Sequence, residues 1–100
     1  MKAEVVEMVI FSTKDGVADE DVLARSQAIN SILREQGGFI HRTFCQRDDG
    51  KWVDIVYWDN LDNARRAAEY VMKDDICMSF FKLIDQQDMD FRHLHIRDEC

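Results

Sequence analysis

Hydrophobic positions along this chain alternate between the two-residue period of a β-strand and the longer period of a helix. A β-rich stretch covers residues 4–11 and ends in a run of turn-forming residues. A helix capped by Asp19 should follow and should end at Gly37–Gly38. Four residues at spacings of four, three and four form its apolar stripe: Val22, Ser26, Ile29 and Leu33. The first part of the chain therefore predicts a strand followed by a helix.

The remaining pattern predicts a hairpin, a second helix and a last strand. Asp48–Asp49–Gly50 is a strong hairpin signal between residues 39–46 and 52–58, so these two strands should pair antiparallel. A second helical stripe consists of Leu61, Ala64, Ala68 and Val71. Asp74–Asp75 can cap a short further helix before residues 89–96 form the last strand. The apolar residues of that short helix are Ile76, Phe80, Phe81 and Ile84.

The order of elements is thus β-α-β-β-α-β, with one short extra helix. Two strand–helix–strand units around a hairpin are typical of the ferredoxin-like α+β fold. This fold is a four-stranded antiparallel sheet with strand order 4-1-3-2 and both helices on one face. One hundred residues without an internal linker indicate a single domain over residues 1–100. We therefore expect the first and third strands at the centre of the sheet.

The third strand, Trp52–Trp58, is apolar along nearly its whole length but has one carboxylate, Asp54, at its centre. Alternation divides every strand into two faces. One set is wholly apolar and should meet the helices: Val6, Met8, Ile10, Val53, Ile55, Tyr57, Leu94 and Ile96. The opposite, helix-free face should then carry Glu7, Asp54 and His93 on three neighbouring strands. Asp54 needs a partner there, because burying an isolated charge is expensive.

Arg42 is the candidate partner of Asp54, but its position depends on the hairpin register. A three-residue loop with a left-handed Gly50 places Arg42 on the Asp54 side, whereas a two-residue turn places His41 there instead. We favour the first register because Phe39, Thr43 and Cys45, which it places on the helix-covered face, suit that face better than Arg42 does. The predicted polar row across the sheet is His93, Glu7, Asp54 and Arg42.

The face that carries this row is too apolar to be left to solvent. Its other members are Val5, Val9, Phe11, Trp52, Val56, Trp58 and Phe91. A second copy of the chain is the simplest cover, with two sheets packed face to face about a two-fold axis. The sequence therefore predicts a homodimer that encloses the polar row in a pocket with ligand-binding walls of Trp52, Val56, Trp58 and Phe91.

Composition excludes several classes of protein. A formal net charge of −7 argues against binding nucleic acid or an anionic membrane. The start of the chain has no apolar stretch of signal-peptide length, and no segment approaches the roughly 20 apolar residues of a membrane helix, so we expect a cytoplasmic protein. Three widely spaced cysteines fit reduced thiols, and the role of Cys100 stays open. His93 and His95 lie on one side of a strand and could bind a metal ion together. Glu7 is the one further candidate metal ligand, so we expect no metal site.

The chain resembles the dimeric α/β-barrel superfamily, in particular antibiotic biosynthesis monooxygenase-like domains, over nearly all of its residues. The resemblance rests on Val5–Val6–Glu7 in the first strand, Gly38–Phe39 entering the second, the Trp52–Trp58 strand after the hairpin, and the helix start at residues 59–68. It implies a ferredoxin-like homodimer. The superfamily includes cofactor-independent oxygenases of polycyclic aromatics, heme-degrading enzymes, isomerases and members with no assigned activity.

The heme-degrading branch can be compared residue by residue. Its members use an Asn in the first strand, a Trp in the second helix and a heme-ligating His shortly after that helix. The matching positions in this chain are Glu7, Tyr70 and Phe81. Because the axial ligand is missing, we expect neither heme degradation nor a bound cofactor.

Two kinds of function fit the predicted pocket. The first is a cofactor-independent monooxygenase-like or isomerase-like enzyme acting on a small apolar or aromatic carbonyl compound. In it, Asp54 or Glu7 abstracts a proton, His93 relays that proton and Arg42 holds an anionic oxygen, while molecular oxygen attacks the carbanion in the monooxygenase version. The second is non-enzymatic binding or sensing of an apolar ligand. The remaining alternative has no pocket: a purely structural homodimer, with the four polar residues as register-setting ion pairs.

RNA-recognition domains share the predicted strand order and have to be considered. Their central strands carry aromatic residues within basic, glycine-containing motifs, whereas the matching strands here carry Glu7 and Asp54 in an acidic protein. We therefore reject nucleic-acid binding.

Overall fold

Four antiparallel strands and four helices make up the computed structural model, which describes residues 2–100. In chain order the elements are β1 (Val5–Thr13), α1 (Asp19–Ala28), α2 (Asn30–Arg34), β2 (Phe39–Gln46), β3 (Trp52–Trp58), α3 (Leu61–Val71), α4 (Asp75–Phe81) and β4 (Ile84–His95). The strand order across the sheet is β2-β3-β1-β4, which confirms the predicted ferredoxin-like topology with β1 and β3 at the centre.

The element boundaries differ from the predicted ones at three places. Ala18, not Asp19, is the N-cap residue of α1, and it makes no side-chain cap bond. The first helical stretch is divided at Ile29 into α1 and α2, yet the predicted stripe continues across the break, because Val22, Ser26, Ile29 and Leu33 are all buried. β4 starts at Ile84 rather than at residue 89, since Ile84 pairs with Thr13 beyond an irregularity in the ladder. The prediction of Ile84 as a residue of the short helix was therefore wrong, because that helix ends at Phe81. Asp74 caps α4 as predicted, accepting from the Cys77 backbone N–H.

The β2–β3 hairpin has the predicted three-residue loop. Gly50 has a φ of +91°, and the Arg47 N–H donates to the Lys51 carbonyl at 2.7 Å. With this register Arg42 lies on the same face of the sheet as Asp54. An irregularity in β2 between Phe39 and His41 brings Phe39 onto that face too, where its ring contacts Trp58.

The prediction of which sheet face meets the helices was wrong. Val5, Phe11, Trp52, Val56 and Trp58 form one buried cluster with helix residues, including Val22, Ala64, Cys77 and Phe80. The helices therefore cover the face that carries Glu7 and Asp54. The set predicted to meet them lies on the opposite, open face, where Val6, Met8, Ile10, Val53, Ile55 and Tyr57 are half-buried and Leu94 is exposed.

The reason for the error is physical. The prediction assigned the helices to the face without charged groups, because buried charge is expensive. Here the charged residues of the covered face have partners within the same chain, so this face can be buried despite them. It also carries the larger aromatic side chains, and Trp58 and Phe11 are each 1% exposed. The polar row is consequently enclosed by the chain's own helices, and Trp52, Val56 and Trp58 do not wall a dimer interior.

Gly38, just before β2, is predicted to tolerate no side chain. Its φ is +85°, and a Cβ there would collide with the Asp59 carboxylate and would lie 2.7 Å from Asn63 Cβ. Gly38→Ala should lower the free energy of unfolding by about 2 kcal/mol or more, from left-handed strain and overpacking together. Gly37→Ala is the matched control, since Gly37 has open space around it and no positive φ. Denaturant unfolding measures both variants, and equal stabilities would contradict this account.

Candidate functional site: an apolar cavity between sheet and helices

Arg42 and Asp54 form a buried, two-pronged ion pair on the covered face. Arg42 Nε donates to Asp54 Oδ1 and Nη2 donates to Oδ2, each at 2.9 Å, and the two side chains are 4% and 13% exposed. Nη1 donates to the Ser26 carbonyl at 2.9 Å and to Asn30 Oδ1 at 2.8 Å. The guanidinium thus joins the β2–β3 hairpin to the α1–α2 junction, as well as neutralising the central carboxylate.

Glu7 and His93 form the second polar pair. They are directly opposite each other on β1 and β4, and Glu7 Oε2 lies 3.0 Å from His93 Nε2. Their side chains are 15% and 20% exposed. The edge of the His93 ring meets Phe91, with 5.2 Å between ring centroids. All four residues of the predicted row are therefore on one face and bonded in the predicted pairs.

The two carboxylates have different surroundings. Burial, and then the nearby Asp54 carboxylate, raise the pKa of Glu7 from 4.5 to about 7. Burial lowers the pKa of His93, and the positive charge of Arg65 lowers it further. Asp54 is bonded to a guanidinium, whereas the partner of Glu7 is an imidazole whose pKa burial lowers. Glu7 is therefore the group of this row that exchanges a proton close to neutral pH.

A cavity of about 310 Å³ lies between this face of the sheet and the helices. Its polar lining residues are Glu7, Asp54 and Gln86. Its sheet-side apolar residues are Val9, Phe11, Val56, Ile84, Met89 and Phe91. Its helix-side residues, all apolar, are Ile29, Leu33, Ala68, Val71, Met72, Phe80 and Phe81. Met72, Met89 and Phe91 are at least 39% exposed and form the rim. A mostly apolar cavity with a few convergent polar groups is typical of a small-molecule site.

Part of the predicted site lines this cavity and part does not. Glu7, Asp54, Val56 and Phe91 line it, although it lies within one chain and not between two sheets. Arg42 and His93 are bonded to the lining carboxylates without being lining residues themselves.

The two tryptophans do not line the cavity and are core residues instead. The Trp52 ring stacks on Phe44 with 5.2 Å between ring centroids, and the Trp58 ring meets Phe39 edge-on at 5.8 Å. Their expected role as ligand-binding walls was tied to the wrong assignment of the sheet faces.

Sequence reasoning missed the helical half of the lining and the polar partners of Arg42. The helical residues were recognisable as apolar stripes, but stripes cannot be assigned to a cavity until the covered sheet face is known. The bond to Ser26 uses its backbone carbonyl, which every residue has, so the residue type carried no signal for this contact.

Within residues 2–100, no group of three or more His, Cys, Asp or Glu side chains is arranged to hold a metal ion. The helices of this part of the chain are too short or too polar to span a membrane.

No protein-family model matches this chain, and no curated protein matches it. Solved structures do resemble it. A variant of SnoaB, a cofactor-independent oxygenase from Streptomyces nogalater, has a TM-score of 0.81 at 18% identity, with 98% of this chain and 97% of that chain covered. The ActVA-Orf6 monooxygenase of Streptomyces coelicolor, in complex with nanaomycin D, has a TM-score of 0.65 at 17% identity, with 98% and 91% covered.

A dimeric ferredoxin-like protein from an uncultured marine organism also resembles the chain, with a TM-score of 0.69 at 8% identity and with 99% and 92% covered. At these identities the likeness is one of fold. The chain therefore has the ferredoxin-like fold of these solved structures.

The raised pKa of Glu7 predicts a specific pH dependence of stability. The folded state holds this proton up to about pH 7 and the unfolded chain releases it near pH 4.5, so the contribution of Glu7 is fully present below pH 4.5 and is lost as pH rises through 7. Relative to wild type, Glu7→Gln should gain about 3 kcal/mol of unfolding free energy between pH 4.5 and pH 8. His93 affects the unfolding free energy in the opposite direction. Because its pKa is lowered, its contribution to stability increases as the pH rises to about 6.5, in both proteins.

Urea unfolding of the two proteins across this pH range measures the difference, in which the His93 contribution largely cancels. Glu4→Gln, at an exposed carboxylate just before β1, is the matched control and should follow wild type. A Glu7→Gln curve parallel to wild type would refute the raised pKa.

Proposed function

We propose that this protein is a small-molecule enzyme of the cofactor-independent monooxygenase type, with Glu7 as the general base. The observation that carries the proposal is the position of Glu7: a carboxyl group with a pKa of about 7, on the lining of a mostly apolar cavity of about 310 Å³. A base works best when its pKa is near the working pH. The descriptions of SnoaB as a cofactor-independent oxygenase and of ActVA-Orf6 as a monooxygenase support this class for the fold.

The chemistry fits a carbonyl compound with an acidic C–H bond between an aromatic ring and the carbonyl group. The Glu7 carboxylate takes that proton and leaves a carbanion, whose charge the carbonyl and the ring delocalise. The carbanion transfers electrons to molecular oxygen and forms a C–O bond, giving a hydroperoxide once protonated. Loss of water from the hydroperoxide turns the former CH₂ group into a second carbonyl. One O₂ is consumed and one H₂O is released, and the substrate supplies the electrons.

The neighbours of Glu7 have supporting roles in this proposal. His93 accepts or returns the proton at the Glu7 carboxyl, through the 3.0 Å contact between Oε2 and Nε2. The Asp54 carboxylate raises the basicity of Glu7 by its negative charge, and Arg42 keeps that charge buried and fixed in place. Val56, Phe91 and the helix residues provide apolar contacts and exclude water from the carbanion.

Oxygen uptake with 2-indanone, a two-ring ketone with a CH₂ between ring and carbonyl, tests the enzyme. Wild type at pH 8 should consume one O₂ per dione formed, and Glu7→Gln should lower kcat by about 100-fold or more, as for removal of a general base. His93→Ala should lower kcat less, and Asp54→Asn should also reduce activity. Glu4→Gln is the control and should keep wild-type rates. Binding of the ketone without oxygen uptake would contradict the enzyme and favour the alternative, a protein that binds or senses an apolar ligand.

We also propose that the chain forms a homodimer through the open sheet face, not through the face predicted from the sequence. The apolar residues of β1 and β3 on this face are only half-buried in one chain: Val6, Met8, Ile10, Val53, Ile55 and Tyr57. A contiguous apolar sheet face of this size favours a partner, and a second copy presents the same face about a two-fold axis. The description of a protein with this fold as dimeric supports the proposal.

Ile55→Glu tests the dimer, because it puts a charge at the centre of the open face without touching the cavity. Analytical ultracentrifugation at micromolar concentration should give twice the 11.8 kDa chain mass for wild type and the chain mass for Ile55→Glu. Leu23→Glu, at a residue of α1 that is 43% exposed, is the control and should stay dimeric. A monomeric wild type would exclude this interface.

A further inference from the structure

The polar groups of the cavity are almost entirely hydrogen-bond acceptors. The two carboxylates, Glu7 and Asp54, lie on its lining, and Gln86 is an exposed residue of β4. Within the described part of the chain, residues 2–100, the lining includes no Lys, Arg or His side chain. A ligand anion in this space would therefore meet two carboxylates and no lining cation.

Arg42 does not change this balance. Its guanidinium already donates four hydrogen bonds, two to Asp54 and one each to the Ser26 carbonyl and Asn30. Its side chain is 4% exposed and is not among the residues that line the cavity. Reaching a ligand would require Arg42 to leave Asp54 as an unpaired buried charge, which is strongly unfavourable. The role of anion holder, expected for Arg42 from the sequence, does not fit this geometry.

We infer that the cavity selects neutral molecules of about two fused rings that donate a hydrogen bond to Glu7, and that it rejects carboxylates of the same shape. The inference rests on the proposed use of the cavity as a ligand site and deepens it by naming the ligand class. Hydroxyl groups on aromatic rings and enols satisfy the requirement, whereas an ether cannot donate a hydrogen bond and a carboxylate repels Glu7. The volume of about 310 Å³ is near the lower end for small-molecule pockets, which favours small ring systems.

Three naphthalenes of nearly equal shape test the selectivity by calorimetric titration at pH 8. These are 2-naphthol, which is neutral and donates, 2-methoxynaphthalene, which is neutral and does not donate, and 2-naphthoate, which is an anion. 2-Naphthol should bind about tenfold more tightly than the methyl ether, the effect of a hydrogen bond to a charged acceptor, and at least 100-fold more tightly than 2-naphthoate. In Glu7→Gln the preference for 2-naphthol over 2-naphthoate should shrink at least tenfold. Glu4→Gln should retain the wild-type order.

The outcomes separate this inference from the proposed function. If 2-naphthoate binds as tightly as 2-naphthol, the selectivity is refuted while the cavity remains a ligand site. If none of the three compounds binds at millimolar concentration, the cavity is not a ligand site and both proposals fail. Selective binding of 2-naphthol without oxygen uptake from 2-indanone supports the inference and contradicts the enzyme.

Discussion

The buried ion pair between Arg42 and Asp54 allows helices to cover a sheet face that carries charge. A carboxylate at the centre of the sheet can be covered by helices only if its charge is balanced there, and the guanidinium does so with two bonds of 2.9 Å each. The same guanidinium reaches the Ser26 carbonyl and Asn30, so the charge balance also positions the junction between α1 and α2. Ile29 and Leu33, which line the cavity, lie in the segment that this contact holds.

A second consequence concerns Glu7. Because Arg42 is bonded to Asp54, Glu7 has an imidazole as its partner. Burial, and then the negative charge of Asp54, raise the pKa of Glu7. Two carboxylates on one sheet face thus acquire different properties from their partners. One is a fixed part of the framework, and the other has a pKa of about 7 on the lining of an apolar cavity. The surroundings of the two carboxylates therefore distinguish a structural ion pair from a candidate base. Residue type alone does not distinguish them.

Solved structures that are 8 to 18% identical to this chain resemble it in fold, so very different sequences can form this fold. What the structures share is element order and alternation, and side chains at any one site are free to differ. The proposed chemistry therefore rests on Glu7, His93 and the cavity of this chain, with the fold as support. The open sheet face takes no part in the cavity, and its half-buried aliphatic residues are the basis of the proposed dimer.

Local patterns in the sequence predicted the element order, the strand order and the hairpin loop, and they placed Arg42, Asp54, Glu7 and His93 on one face of the sheet. These patterns are the turn residues, the helical stripes and the two-residue alternation of strands. Which sheet face the helices cover was not predictable from them, and the position of the cavity and the burial of Trp52 and Trp58 follow from that face. Both faces of β1 and β3 are largely apolar, so the hydrophobic pattern did not distinguish them. The cost of burying charge favoured the wrong face in the prediction. That cost is offset once the carboxylate is paired, and the ion pair forms only in the folded chain.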